Sequence, residues 1–182
     1  FAIRGLRANG EEFIGEAIQR GAQVLVGEDL NLNAHPGVAK VQVADSRKAL
    51  AKMARRYHGY PDKSIKLVGI TGTNGKTTVS TVTRHLLEES GRPVGLIGTV
   101  KYHLGDRELP SFRTTPEASD LYPMLRSMLA GGCSEAVMEV SSHGIHQSRV
   151  AGMEMEVVTF LNLTRDHLDD HSNMESYLRE KR

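Results

Sequence analysis

Apolar positions along the chain follow two patterns, one helical and one stranded. Over residues 11–20, Phe13, Ile14, Ala17 and Ile18 share a helical face, and Gly21 follows as a stop signal. Residues 23–26 and 40–43 read as short strands, separated by the loop chemistry of residues 31–37, so this part forms a small β-α-β pattern. Asp45 or Ser46 can cap a helix whose Leu50, Met53, Ala54 and Tyr57 share a face. Residues 58–62, His-Gly-Tyr-Pro-Asp, end that helix and offer a domain boundary.

From residue 65 onward, strands and helices alternate. Residues 65–70, 94–100, 136–140 and 157–161 are apolar runs of strand length. Between them, Val79, Val82, Leu86 and Leu87 predict one inward helical face, and Leu121, Leu125, Met128 and Leu129 another. Strands separated by helices predict a doubly wound parallel sheet of the α/β class. Ligands in such sheets sit past the carboxyl ends of the strands, which directs attention to the residues just after each one.

Composition narrows the function classes. The 182 residues carry 23 Lys plus Arg against 22 Asp plus Glu, a net charge of +1 that gives no general attraction to nucleic acid or anionic membrane. No apolar run approaches the roughly 20 residues that span a bilayer. Cys133 is the single cysteine, so an internal disulfide and a cysteine zinc site are both excluded, and a reducing, cytoplasmic setting is expected. The opening residues lack an initiator Met and a leader's apolar core, and residues 177–182 stop inside a helical pattern. The chain is therefore expected to be a fragment.

The strongest chemical signal is Gly72-Thr73-Asn74-Gly75-Lys76-Thr77-Thr78, directly between a strand and a helix. Glycines let backbone N–H groups close around phosphate oxygens, and a helix N-terminus adds favourable dipole charge. Lys76 would neutralise β- and γ-phosphates while the Thr77 hydroxyl reaches Mg2+. The strict phosphate-loop pattern wants glycine five residues before Gly75, where Ile70 stands, so a plain glycine-rich turn is the competing reading. Glu139, near the end of an apolar strand, reads either as a Mg2+ ligand or as an exposed strand-end carboxylate.

His143, His146, His167 and His171 cluster late in the chain, but only His167 and His171 have helical i, i+4 spacing. With Asp166 and Asp169 beside them, an oxygen-rich Mg2+ or Mn2+ site competes with helix capping. In Arg113-Thr114-Thr115-Pro116-Glu117, Thr115 reads as an N-cap or as part of an anion site with Thr114. Gln147 and Arg149 follow Ser141 and Ser142 and could hold a carboxylate or phosphate. Together these residues describe a Mg-ATP site facing a polar, anionic substrate.

In this order and spacing, TGTNGKTT, RTTPEA, EVSSHGIHQSRV, NLTRDHLDDH and MESYLREK resemble the Mur ligase family over nearly the whole chain. The loop without its earlier glycine is that family's own form. The resemblance implies that residues 1–62 are most of a UDP-sugar-binding N-terminal domain whose start is missing. Residues 63–182 are then the first part of a central phosphate-loop ATPase domain, with the C-terminal domain absent. It implies ATP binding by Gly72 through Thr78, metal ligation by Thr77, Glu139 and His167, and acceptor contacts from Thr114, Thr115, Ser141, Gln147 and Arg149. Lys181 falls where the family carries a carbamylated lysine that helps hold the second of two Mg2+ ions.

The implied activity is ATP-dependent addition of a third amino acid, meso-diaminopimelate ahead of L-lysine, to UDP-MurNAc-dipeptide through an acyl phosphate. Lys76, Lys181 and His167 would be its catalytic groups. The implied protein is a cytoplasmic monomer of peptidoglycan synthesis, with no nucleic-acid partner and no membrane insertion. This chain alone is expected to be a poor ligase or an inactive one. Asp170 and Ser172 depart from the family's usual aromatic residue and glycine, which puts the His167 loop in doubt. A noncatalytic nucleotide-binding or UDP-sugar-binding module, a sibling such as folylpolyglutamate synthetase, and a simple phosphate-loop NTPase remain as alternative readings.

Overall fold

Both periodicities are realised, and the strand alternation decides how the layers stack. The computed structural model describes residues 1–5, 8–31 and 33–163, which divide into two units, Phe1–Leu50 and Ala51–Arg182. In the first unit, strands β1 (Val24–Gly27) and β2 (Ala39–Gln42) pair in parallel, with Val24 opposite Ala39. Helix α1 (Ile14–Gln19) follows a 3-10 turn over Gly10–Phe13 that Asn9 caps by accepting from the Glu11 amide. Ile14 and Ile18 pack against Ala2, Leu25 and Leu30, whereas Phe13 is exposed because the 3-10 turn rotates it off the helical face.

Helix α2 (Ser46–Tyr57) spans the division between units. Its buried face is turned from the expected one. Met53 and Tyr57 are exposed, whereas within the second unit the expected Ala54 lies against the core together with Ala51. Two small residues permit a closer approach of the helix than Met and Tyr would.

The second unit holds a six-stranded sheet in the order β6-β5-β4-β7-β3-β8. Strands β3 (Lys66–Thr71), β4 (Val94–Ile97), β7 (Glu135–Glu139) and β8 (Val157–Phe160) are parallel, as the sequence pattern predicts. Strands β5 (Lys101–His103) and β6 (Glu108–Pro110) add an antiparallel edge that periodicity did not reveal. Three residues each are too short to show alternation. The strand expected over residues 94–100 ends at Ile97, and the chain turns at Gly98 into β5.

Alternation sends side chains to both faces of this sheet. Leu67, Ala136, Met138 and Val140 join Leu121, Leu125 and Met128 of helix α4 (Ala118–Ala130) on one face. Ile70, Leu96 and Val137 meet Val79 and Leu87 of helix α3 (Lys76–Glu88) on the other. Helices on both faces make the sheet doubly wound. The space for α4 comes partly from Gly95, where a Cβ would lie 2.4 Å from the Met128 sulfur.

The inward face of α3 also differs from expectation. Val82 and Leu86 are exposed, and the wholly buried position is Ser80. Thr77, Ser80 and Arg84 lie three and four residues apart and turn toward the sheet because polar groups await them there. Arg84 donates to the Val94 carbonyl at 3.0 Å, and its Nη1 lies 3.5 Å from His103 Nε2. On the other ring nitrogen, His103 Nδ1 lies 2.9 Å from Glu108. The neutral ring satisfies both neighbours, donating from Nδ1 and accepting at Nε2. Burial, and then the Arg84 cation, hold the His103 pKa below its ordinary value despite Glu108.

Two tests follow from these buried groups. The Tyr122 hydroxyl is buried without a hydrogen-bond partner among the described residues, and burial raises its pKa to about 12. Tyr122→Phe removes an unmet polar group, so urea unfolding should show stability unchanged or raised, by up to about 1 kcal/mol. For His103, the unfolded chain binds its proton more readily than the folded one. Stability from this group is fully present above the ordinary imidazole pKa and is lost as pH falls from there through the lowered folded value. His103→Gln should therefore flatten the decline in urea midpoint between pH 7.5 and 5.5 (about one unit either side of that pKa).

Candidate functional site

Strand β3 delivers Thr71 to the carboxyl edge of the sheet, and the next four residues form a tight loop before α3. Gly72 has φ +151°, and a Cβ there would lie 3.1 Å from the Leu161 Cβ. Gly75 has φ +86° at the N-cap of α3, where no side chain caps the helix. Glycine meets both demands without strain, and the uncapped first turn presents its amides and dipole to the cleft. Lys76 Nζ donates to the carbonyls of Gly72 and Thr73, each at 2.9 Å, so its ammonium lies folded over the loop.

A residue from β8's end braces this loop. Asn162 Oδ1 accepts from the Asn74 amide at 3.0 Å, and its Nδ2 donates to the Asn74 carbonyl at 2.9 Å. The Asn162 carbonyl also accepts from the Thr73 amide at 3.1 Å. Three hydrogen bonds thus fix the loop to a neighbouring strand.

Glu139 ends β7 with 1% of its surface exposed, which excludes the exposed strand-end reading. Its Oε2 accepts from Thr77 Oγ1 at 3.0 Å and from Thr99 Oγ1 at 2.9 Å. Its Oε1 accepts from the Thr99 amide at 3.0 Å and lies 3.3 Å from Ser80 Oγ. Gly98 makes this approach possible, since a Cβ there would stand 2.5 Å from Oε1. Paired carboxylate and hydroxyl oxygens suit a hard cation such as Mg2+. Among the described residues no group of three His, Cys, Asp or Glu forms a metal cluster.

Across the cleft, Tyr102 organises the Arg113-Thr114-Thr115 segment. Its buried hydroxyl donates to the Arg113 carbonyl at 2.5 Å and accepts from the Arg113 amide at 2.9 Å. Thr115 is not the N-cap of α4, since Glu117 holds that position. Instead, the buried Thr115 hydroxyl donates to the Glu139 carbonyl at 2.9 Å and accepts from the Ser141 amide at 2.9 Å. Gly144 leaves room for it, as a Cβ would stand 2.7 Å from Thr115 Cγ2. Ser141 caps the short helix α5 (Ser142–His146) by accepting from the Gly144 amide.

Arg149 donates to the Thr115 carbonyl at 2.7 Å and to Gln147 Oε1 at 2.5 Å. Glu117 Oε1 lies 3.0 Å from Arg149 and 2.5 Å from Arg113. These walls enclose a cavity of about 590 Å³. Gly72 through Thr78 line it together with Thr114, Thr115, Ser141 and Arg149; Gln147 is held beside it through Arg149. His167 and Lys181 lie outside the described residues.

Sequence reasoning missed Thr99, Ser80, Tyr102 and Asn162. For Thr99 a signal existed, because the residue lies just past a strand at the sheet's ligand-binding edge. It was obscured by reading β4 as running through residue 100. Ser80 and Tyr102 gave none, since each acts through a partner distant in sequence.

Comparison with known proteins fits this arrangement. A family model described as the Mur ligase middle domain matches residues 70–182, and one described as Mur ligase family, catalytic domain, matches residues 1–58. The chain is 43% identical, over a 183-residue alignment, to the UDP-N-acetylmuramoyl-L-alanyl-D-glutamate–2,6-diaminopimelate ligase of Clostridium tetani. That alignment covers all of this chain and 38% of the relative, so the chain spans well under half the length of its curated relatives. A solved structure of a ligase of the same name superposes with a TM-score of 0.76 at 27% identity, covering 94% of this chain and 34% of that one. The MurF ligase of Thermotoga maritima in complex with ADP superposes with a TM-score of 0.59 at 27% identity, covering 99% of this chain and 38% of that one. Family models matching across most of its length show that this chain belongs to the Mur ligase family.

Proposed function

We propose that this chain forms part of an ATP-dependent ligase of peptidoglycan synthesis, acting in the cytoplasm. The ligase adds a third amino acid, meso-diaminopimelate, to UDP-MurNAc-L-Ala-D-Glu. Residues 1–62 contribute to binding the UDP-sugar and residues 63–182 to binding ATP. One observation carries this reading: Lys76 and Thr77, whose hydroxyl donates to the buried Glu139, line a single cleft with Thr114, Thr115, Ser141 and Arg149. The name of the Clostridium tetani relative and the ADP held by the Thermotoga maritima ligase support it. The lone buried thiol of Cys133 supports a reducing compartment.

The reaction brings a carboxylate and a triphosphate together, so the cleft must offset repulsion between anions. Lys76 leaves the loop carbonyls and places its ammonium on the transferring phosphate. The amides of the loop and of the uncapped first turn of α3 hold the phosphate chain. Arg149 and Thr114, with Gln147 behind, orient the acceptor so that an oxygen of its D-Glu carboxylate attacks the γ-phosphorus. The new O–P bond forms as the bond to ADP breaks.

The amine of the incoming amino acid then attacks the acyl carbon, loses a proton and expels phosphate. Thr77 and Glu139 would hold Mg2+, with His167 and the carbamylated Lys181 completing ligation of two ions. When bound, Mg2+ draws charge from the phosphate oxygens.

In the whole protein, Lys76→Ala should lower formation of UDP-MurNAc-tripeptide by at least about 10²–10³-fold, with the circular dichroism spectrum unchanged. Chromatography of the nucleotide products measures this, and near-normal turnover would overturn the assignment. Lys181→Ala should lose activity and recover part of it in small carboxylic acids such as formate or acetate. Absence of recovery would count against the carbamylated role.

A further inference from the structure

Thr99 has no role in the chemistry above, yet it touches both sides of the cleft. Its amide donates to Glu139 Oε1 at 3.0 Å, and its hydroxyl donates to Oε2 at 2.9 Å. The same hydroxyl oxygen lies 3.0 Å from Thr114 Oγ1. It carries a single proton, and a carboxylate accepts rather than donates. With that proton on Glu139, Thr99 must accept from Thr114. The chain of donors therefore has one polarity, from Thr114 through Thr99 to Glu139.

We propose that Thr99 is a positioning residue coupling acceptor binding at Thr114 to cation binding at Glu139. The inference rests on the reading of Thr114 as an acceptor contact and Glu139 as a metal ligand. Hydrogen bonds in a chain strengthen one another. While Thr114 donates to Thr99, the Thr99 hydroxyl is a stronger donor and draws charge from Glu139 Oε2. An acceptor carboxylate redirects the Thr114 proton to itself. The Thr99 bond to Oε2 then weakens, and that oxygen offers more charge to a cation. Meanwhile the Thr99 amide keeps Oε1 in place, so the carboxylate stays oriented throughout. Acceptor binding thus tightens cation binding, and by linkage the cation tightens acceptor binding by the same factor.

The test uses the full-length protein, with Mn2+ as a spectroscopic stand-in for Mg2+, ADP in place of ATP, and UDP-MurNAc-L-Ala-D-Glu as acceptor. Electron paramagnetic resonance gives the Mn2+ affinity with and without acceptor. The parent protein should show acceptor-enhanced Mn2+ binding of about fivefold or more. Thr99→Val keeps the shape and the amide while deleting the hydroxyl, and should reduce the enhancement at least about threefold. Thr99→Ser should retain it, a pattern that a purely structural role would not produce. Undiminished enhancement in Thr99→Val, or equal loss in Thr99→Ser, overturns the inference. So does acceptor binding without enhancement in the parent. Failure of the parent to bind the acceptor at all would sink the proposed function and this coupling with it.

Discussion

A buried carboxylate must find its hydrogen bonds inside the protein, and in this structure Glu139 draws its partners from three separate segments. Thr77 and Ser80 of α3 answer it from one side, and Thr99 from the turn after β4. Thr115, from before α4, takes the Glu139 backbone carbonyl. Two glycines make the crowding possible, Gly98 against the carboxylate and Gly144 against Thr115. The polar inward face of α3 follows from the same demand. Apolar residues at 77 and 80 would leave the carboxylate without these partners.

The phosphate loop obeys a complementary constraint. Its own backbone must be left open toward a ligand and still be rigid before that ligand arrives. Support therefore comes from outside, through the side-chain amide and carbonyl of Asn162. Lys76 meanwhile rests on loop carbonyls, which give its ammonium partners. Such preorganisation lowers the cost of ordering the loop at the moment of binding.

The rest of the second unit positions these groups. Parallel strands β3 and β7 run side by side in register, with Ile70 opposite Glu139, so the phosphate loop and the carboxylate leave the sheet at the same edge. The antiparallel edge formed by β5 and β6 contributes Tyr102, whose hydroxyl fastens the segment carrying Thr114 and Thr115. A short edge that periodicity does not reveal therefore shapes one wall of the cleft.

Local pattern in the sequence determined the long elements: four parallel strands, the helices between them, and the loop from Gly72 to Lys76. Each depends on residue spacing or on glycine conformation, both of which are local properties. The sequence likewise marked Thr114, Thr115, Ser141, Gln147 and Arg149 by type and order, through their resemblance to a known family. Tertiary structure alone decided which faces of α2 and α3 turn inward, because small or polar residues there answer partners remote in the chain. It also decided that Thr115 spends its hydroxyl on Glu139 and Ser141 rather than on capping α4. Ser80 and Asn162 acquire meaning only through atoms 59 and 88 residues away, and no local window contains such a pairing.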